Sequence, residues 1–491
     1  MKPLHTILQG LPCDVDGPSD VMITDIVFDS RKVTPSALFV ALRGAHQDGH
    51  AHVSAAVKAG AKAVLVEENV AADGVTRVRV ADTLKALSHV SVLFWDHPSG
   101  KLRMVGITGT NGKTTTSYLI ESIFSAAGWP TGVMGTINYR LGDTSTPAPN
   151  TTPFASELQR FLSSIVDKGA KACVMEVSSH ALELGRVEGV DFDTAIFTNL
   201  TQDHLDFHKT MEAYAAAKTK LFSSLTMKSP KEYPKCAVLN ADDPWSEKIA
   251  SIVKVPILRY RLHASADFYT KGLVCDAMGS RFELHTPVGH RPVNFPLLGD
   301  YNVMNALAAA AAAVSQGVAL DAVVKGLEKI HGVPGRMESI SSPRGFTVVV
   351  DYAHTDDALR QVMTALKKLK PKHLITVFGC GGDRDRTKRP LMGEAAAQLS
   401  DEVIVTSDNP RSEDPAKITL DVEVGVRRIR TEGYQIILDR ESAIKQAFSI
   451  AQAGDIVLLA GKGHENYQIL KDRTIPFDDR EVARRLVKTS G

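Results

Sequence analysis

The chain has 491 residues, which at roughly 100–200 residues per domain leaves room for about three domains. Lysine plus arginine number 57 against 56 aspartate plus glutamate, a formal net charge of +1, so nothing in the balance calls for nucleic acid or an acidic membrane and a small-molecule partner fits better. The five cysteines, Cys13, Cys173, Cys236, Cys275 and Cys380, are scattered without a C-x-x-C pair, a pattern of reduced thiols in a cytosolic protein rather than of a disulfide framework or a sulfur-held metal.

Met1-Lys2-Pro3-Leu4-His5 carries no charged leader followed by an apolar run, so no signal peptide is expected. The first block, residues 1–100, alternates short strands such as Leu38–Leu42 and Ala63–Val66 with a helix at 51–59, and ends in the turn-rich Asp96-His97-Pro98-Ser99-Gly100. The second block, residues 101–332, opens on the strand Met104–Thr108 and continues through runs at 172–177, 194–198 and 236–239. Strands separated by helical segments predict a parallel α/β sheet. Ala306–Val314 is too short for the roughly 20 apolar residues of a membrane span and reads as a buried helix. The third block, residues 333–491, follows the Gly/Pro cluster Gly332-Val333-Pro334-Gly335-Arg336. Its strands at 347–350, 374–378, 402–405 and 455–459 predict a second, doubly wound α/β sheet, in which ligands gather at the carboxyl ends of the strands.

Gly109-Thr110-Asn111-Gly112-Lys113-Thr114-Thr115 follows a predicted strand and opens a predicted helix, the setting of a phosphate-binding loop. Glycines let backbone N–H groups approach phosphate oxygens, Lys113 supplies a point charge, and the Thr114 hydroxyl can serve Mg²⁺. The full G-x-x-x-x-G-K-[ST] pattern fails at its first position, where Ile107 stands, but the G-K-T core and its setting survive. Glu176 ends the next strong strand and can hold Mg²⁺, and His204 sits in a polar cluster, Thr198 to Asp206, after another strand. Lys218, in Tyr214-Ala215-Ala216-Ala217-Lys218, reads on its own as a solvated helix lysine.

In order along nearly the whole chain, G-T-N-G-K-T-T, E-V-S-S-H-A-L, T-N-L-T-Q-D-H-L-D-F-H, A-A-A-K, Asn302 with Asn305, G-R-M-E, D-Y-A-H-T-D-D-A-L, D-N-P-R and G-K-G-H-E resemble the Mur ligase family. Within it the pattern is most similar to members that add meso-diaminopimelate, with ATP and Mg²⁺, to UDP-N-acetylmuramoyl-L-alanyl-D-glutamate. The resemblance implies a UDP-sugar-binding domain, a central ATPase domain and a C-terminal Rossmann-like domain that brings the amino acid, acting as a cytoplasmic monomer without nucleic acid or membrane.

Carried over residue by residue, the resemblance gives Gly109 to Thr115 to ATP, with Asn302 against the nucleotide and Arg336 and Asp351 approaching it from the linker and third domain. Lys113, Glu176, His204 and Lys218 become catalytic, and Thr114, Glu176, His204 and Lys218 serve magnesium. Lys218 changes meaning, since the matching family lysine is carbamylated to N6-carboxylysine. Ser30 and His46 resemble the uridine-binding segment, and Asn150, Thr151, Thr152, Ser178 and Arg186 resemble residues holding the muramoyl dipeptide. Leu184 departs, standing where some relatives carry glutamine. Arg384, Asp408, Asn409, Pro410, Arg411, Gly461 and Glu465 fall to diaminopimelate. A planar guanidinium at Arg411 can grip the distal carboxylate that lysine lacks. His354 shares a motif without an assigned role, and no residue declares itself the base for the amine. Three readings stand beside this one: a lysine-adding or folylpolyglutamate-type ligase, a P-loop switch or motor, and a non-catalytic binding protein of the same fold.

Overall fold

The run Arg-Met-Val-Gly-Ile-Thr is buried along nearly its whole length and forms the strand Arg103–Thr108. Continuous apolar runs suit strands covered on both faces. This strand lies between Ala172–Glu176 and Thr194–Phe197, both parallel to it, inside an 11-stranded sheet. Helix Lys113–Ala126, packed with Asp300–Ser315 and Leu320–Lys329, covers one face, and Ala155–Asp167 and Met211–Ser223 belong to the other. The computed structural model describes residues 1–489 except Ala45, His46, Lys228, Ala264, Ala277 and Met278.

The expected parallel sheet is the middle of this larger one. Asn138–Leu141 and Thr144–Pro147 add an antiparallel hairpin at one edge, and Phe268–Asp276, Gly279–Thr286 and Gly289–Phe295 an antiparallel meander at the other. Their alternating or largely exposed side chains lack the apolar runs that mark the central strands. The expected helix at 306–314 lies inside Asp300–Ser315, where every alanine from Ala306 to Ala313 is buried. Small side chains there let this helix sit close to Lys113–Ala126.

Two smaller sheets flank this one. The N-terminal sheet runs Asp14–Asp16, Thr76–Arg79, Ala63–Val66, Leu38–Val40, Ile26–Val27, parallel except for the first pair. The helix expected at 51–59 is a 3₁₀ turn, Gly49–His52, running into Val53–Lys58. The C-terminal sheet runs Glu338–Ser341, Thr347–Asp351, Ile456–Ala460, Leu374–Phe378, Glu402–Val405, Tyr434–Ile436, with only the first pair antiparallel and apolar clusters on both faces. Asp351, Cys380, Asp408 and Gly461 therefore stand at or just past the carboxyl ends of its four central strands, where open α/β sheets bind ligands. Among the described residues no helix is long and apolar enough to cross a membrane, and the five cysteines form no disulfide.

Candidate active site

The loop after Arg103–Thr108 turns into helix Lys113–Ala126 through Gly112, whose φ of 86° lies in the left-handed region. A Cβ there would strike the Asn305 side chain, and one at Gly109 would strike the Thr198 hydroxyl, so this backbone runs where only glycine fits. Asn199 fixes the loop: its carbonyl accepts from the Thr110 N–H and its side-chain oxygen from the Asn111 N–H, each at 2.9 Å. The helix N-terminus, with its unpaired amides and positive dipole end, thereby points into the cleft.

Two lysines meet at one carbonyl. Lys113 Nζ donates to Gly109 O at 2.9 Å and to Thr110 O at 2.8 Å, and Lys218 Nζ, from helix Met211–Ser223, donates to the same Gly109 O at 2.9 Å. Lys218 is 2 % exposed and lies 4.3 Å from the Tyr214 ring centroid; among the described residues it forms no ion pair, and Asp203 acts on it only at longer range. Burial first, then the neighbouring Lys113 charge, pushes its pKa well below that of an ordinary lysine. The solvated helix lysine that Lys218 suggests in isolation is thus a buried amine.

Glu176, 1 % exposed, faces the loop. Its Oε2 accepts from the Thr114 hydroxyl at 3.0 Å and the Thr136 hydroxyl at 2.9 Å, while Oε1 accepts from the Thr136 N–H at 2.9 Å. Asp203 is buried next in sequence to His204, whose Nε2 lies 3.4 Å from Asp203 Oδ2, and His354 Nε2 approaches the same oxygen to 3.9 Å. Burial opposes the Asp203 charge, but His204, His354 and Lys388 hold its carboxyl well below the usual range. Burial pushes His204 down to about 3 and His354 to about 4, which favours neutral imidazoles.

A cleft of about 1060 Å³, counting its mouth, joins the loop to the third sheet. Residues Thr110 to Thr115, Thr151, Glu176, Ser178, His204, Asn302, Arg336 and Asp351 all line it, so most sequence-predicted nucleotide residues converge there. Arg336 donates to the Thr114 hydroxyl at 3.3 Å and lies 4.5 Å from the Tyr352 ring centroid. Asp351, with burial raising its pKa, accepts from the Met337 and Ala353 N–H groups at 2.8 Å and so shapes the linker. Asn111 Nδ2 reaches Asp357 Oδ2 at 3.1 Å, a second bridge between the sheets.

Thr152 fastens the turn before Ala155–Asp167 to the end of the Glu176 strand. Its hydroxyl donates to Glu176 O at 2.8 Å and accepts from the Ser178 N–H at 3.0 Å, and its carbonyl takes Arg186 Nη1 at 3.2 Å. The Asn150 carbonyl accepts from the Tyr139 hydroxyl at 2.5 Å. The Arg186 guanidinium lies 4.0 Å from the Phe154 ring centroid, and Phe154 in turn packs on Phe28 at 4.7 Å. Ser30 lies apart from the nucleotide cleft, beside a second cleft of about 1130 Å³ lined by Asp25, Phe28, Asp29, Lys32, Glu157 and Arg160. The aromatic pair connects this cleft with Arg186. His46, predicted to join Ser30, lies outside the described residues.

A third cluster crowns the C-terminal sheet. Asn409 Nδ2 donates to Glu465 Oε2 at 2.8 Å, Lys462 Nζ reaches the same oxygen at 3.0 Å, and Gln468 holds the Asp408 carbonyl at 2.7 Å. Burial raises the Glu465 pKa while Lys462 opposes it. Arg411 Nη1 and Arg384 Cγ would lie 2.9 and 3.8 Å from a Cβ placed on Gly381, so two guanidinium side chains flank one glycine. Burial, followed by the Arg384 charge, lowers the Arg411 pKa. Gly461 abuts Asp408, whose Oδ2 would lie 2.9 Å from an added Cβ. All seven residues predicted for the amino acid therefore gather at the ends of adjacent strands.

Several cleft residues escape sequence reasoning. Thr136 gives Glu176 two of its three bonds, and its one signal is a Gly-Thr pair after the strand Thr131–Met134. Asp203 and Asp357 lie within motifs already noted, but nothing in sequence says that they face the loop or cross to it.

The chain matches the Mur ligase middle domain over residues 107–313, the Mur ligase glutamate ligase domain over 335–463, and the Mur ligase family catalytic domain over 22–95. It is 44% identical over 487 residues to the UDP-N-acetylmuramoyl-L-alanyl-D-glutamate--2,6-diaminopimelate ligase of Syntrophomonas wolfei subsp. wolfei, covering 99% of each chain. The ligase of that name from Solibacter usitatus is 47% identical over 470 residues, covering 96% of this chain and 94% of the relative. Among solved structures, a UDP-N-acetylmuramoyl-L-alanyl-D-glutamate--2,6-diaminopimelate ligase superposes over 100% of this chain and 99% of its own at TM-score 0.68 and 37% identity. The MurF ligase of Thermotoga maritima in complex with ADP shares the fold, at TM-score 0.66 and 19% identity over 90% of this chain and 95% of its own. By matches along its whole length, the chain belongs to the Mur ligase family.

Proposed function

We propose that this protein joins meso-diaminopimelate to the D-glutamyl γ-carboxylate of UDP-N-acetylmuramoyl-L-alanyl-D-glutamate in peptidoglycan precursor synthesis, splitting ATP to ADP and phosphate. The observation that carries the reading is the C-terminal cluster. It offers two guanidiniums, Arg384 and Arg411, for carboxylate and a half-buried Glu465 for ammonium, a set that suits an amino acid with charged groups at both ends. Full-length similarity to relatives named for that reaction supports it. We assign residues 1–100 to the UDP-sugar, 101–332 to ATP and 333–491 to the amino acid, with the chain working as a cytoplasmic monomer.

In this reading the glutamyl γ-carboxylate oxygen attacks the γ-phosphorus of ATP, the bond to the β-phosphate oxygen breaks, and an acyl phosphate and ADP result. Lys113 and the N-terminus of helix Lys113–Ala126 meet the phosphates, and Asn302 and Arg336 border them. The diaminopimelate amine, having lost a proton, then attacks the acyl carbon, and phosphate leaves from a tetrahedral intermediate. Ser178, Arg186 and the 150–152 turn orient the dipeptide, and Asp29 and Lys32, on either side of Ser30 in sequence, line the cleft offered to the nucleotide end of that substrate. Arg336 and Asp357 draw the third domain onto the loop, and such closure limits hydrolysis of the acyl phosphate.

The donor set fits Mg²⁺: the Thr114 hydroxyl and a Glu176 oxygen converge at 3.0 Å, and His204 borders the same cleft. Bound there, the cation offsets charge on the transferring phosphoryl group. Lys218 suits carbamylation because burial and the neighbouring Lys113 charge disfavour its protonated form, and among the described residues it forms no ion pair. Its nitrogen would add to CO₂ with loss of a proton, and the anionic N6-carboxylysine so formed would supply a carboxylate to help hold the cation.

The test is isotopic. With ¹⁸O in the D-glutamyl γ-carboxylate, one ¹⁸O atom should appear in released phosphate, and ATP turnover should require both the UDP-dipeptide and the amino acid. Turnover with ATP alone, giving unlabelled phosphate, sinks the ligase reading in favour of a P-loop switch or motor.

A further inference from the structure

Arg384 and Arg411 sit on two different loops, and like charges side by side repel. Both loops also bend through unfavourable backbone: Asp383 and Arg411, neither of them glycine, have φ of 53°. Such conformations persist only where the surroundings over-determine them.

The surroundings here are a clasp of charged and polar groups. Arg389, at the start of helix Lys388–Leu399, is 0 % exposed. Its two terminal nitrogens grip Glu413 at 2.8 and 3.0 Å, one also reaches Asp421 at 2.9 Å, and the other the Gly381 carbonyl at 3.3 Å. Glu413 Oε1 in turn accepts from the Asp383 N–H at 2.6 Å. Asp383 returns the contact, taking the Ser412 N–H at 3.1 Å and the Ser412 hydroxyl at 2.7 Å. Backbone bonds finish the seam, with the Gly382 N–H on Asn409 O at 2.9 Å and Arg411 Nη1 on Gly382 O at 2.8 Å. One buried arginine thus ties Gly381, in the turn before Arg384, to Glu413, in the turn after Arg411.

We propose that Arg389 and Glu413 are positioning residues that set selectivity for an amino acid with a distal carboxylate, by locking together the two loops that carry Arg384 and Arg411. The inference rests on the reading that those two guanidiniums bind that carboxylate. Neither Arg389 nor Glu413 touches substrate. Their bidentate pair, a buried arginine on a half-buried carboxylate, fixes the spacing of the guanidiniums before substrate arrives, so binding energy is not spent on bringing two cations together.

The full-length protein is assayed with ATP and UDP-dipeptide while diaminopimelate is varied, and again with L-lysine, which lacks the distal carboxylate. Glu413→Gln should raise KM for diaminopimelate about tenfold or more while leaving KM for ATP and the lysine rate unchanged, because only carboxylate placement is lost. Asp383→Asn, at an exposed position that tolerates left-handed backbone, breaks the outer half of the clasp without emptying the core and should act in the same direction. It decides the matter if Glu413→Gln does not fold. Equal losses with both amino acids, a KM rise shared by ATP, or an unchanged diaminopimelate KM in the folded variants would overturn the clasp. Arg411→Ala separates the underlying reading: if it leaves the diaminopimelate KM unchanged, the carboxylate site itself is misassigned and the clasp falls with it. A raised KM in Arg411→Ala with none in the clasp variants sinks the clasp alone.

Discussion

Lys113 and Lys218 converge on the Gly109 carbonyl, and their chemistry separates there. Lys113 lines the cleft, where burial lowers its pKa and the Glu176 and Asp203 charges oppose that, whereas Lys218 is fully enclosed and forms no ion pair among the described residues. Lys113→Met should lower kcat by about 10²-fold or more, read as ADP release under saturating substrates, since a charge aimed at the transferring phosphoryl group is removed. Lys218→Arg keeps a cation that cannot become a carbamate. The parent protein, stripped of CO₂, should lose activity and regain it with bicarbonate, together with a carbamate carbon resonance, and Lys218→Arg should show neither. Bicarbonate-independent activity in the parent would remove the carbamate from the account. Seen in sequence alone, Lys218 is one lysine of an alanine-rich helix; its burial comes from the packing of Met211–Ser223 on the loop, which no local pattern encodes.

At the scale of elements, the loop and the helix it opens form one unit with Asp300–Ser315. Gly112→Ala would force a left-handed non-glycine residue, a cost of about 1–2 kcal/mol, and press a methyl into Asn305. Lower thermal stability and weaker ATP binding should appear together, by calorimetry and by titration. The central strands were legible because parallel strands buried on both faces read as uninterrupted apolar runs: Ala63–Val66, Leu374–Phe378 and Glu402–Val405 coincide with their expected spans. The antiparallel margins were not, because strands such as Thr144–Pro147 and Gly289–Phe295 expose most of their side chains and draw their stability from neighbours. Site residues within glycine- or proline-marked motifs at strand ends were legible for the same reason. Thr136, Asp357, Arg389 and Glu413 act through partners 24 to 246 residues away, and periodicity carries no trace of such pairs.

In the whole molecule, the loop 109–115 and the C-terminal cluster belong to different sheets, and the linker around Gly332 to Arg336 touches both, through Arg336 on Thr114 and Gly335 on Gly463 and His464. Gly335 has φ of 64° and lies against the backbone of Gly463 and His464, so Gly335→Ala must push the linker off the third sheet. That change should cut ligation by about 10²-fold while ATP affinity at the first-order level of the isolated loop stays within a few-fold, because a displacement of about 1 Å suffices to misalign reacting groups. Equal turnover in Gly335→Ala would remove domain closure from the mechanism.

The central claim, amide ligation selective for a doubly charged-end amino acid, is tested most directly by phosphate release from purified protein with ATP, Mg²⁺ and UDP-N-acetylmuramoyl-L-alanyl-D-glutamate, comparing meso-diaminopimelate with L-lysine and weighing the product. The account predicts phosphate and a mass-confirmed tripeptide with diaminopimelate and little of either with lysine. Preference for lysine would contradict the assignment of Arg384 and Arg411, and phosphate release indifferent to both amino acids would contradict the ligase itself.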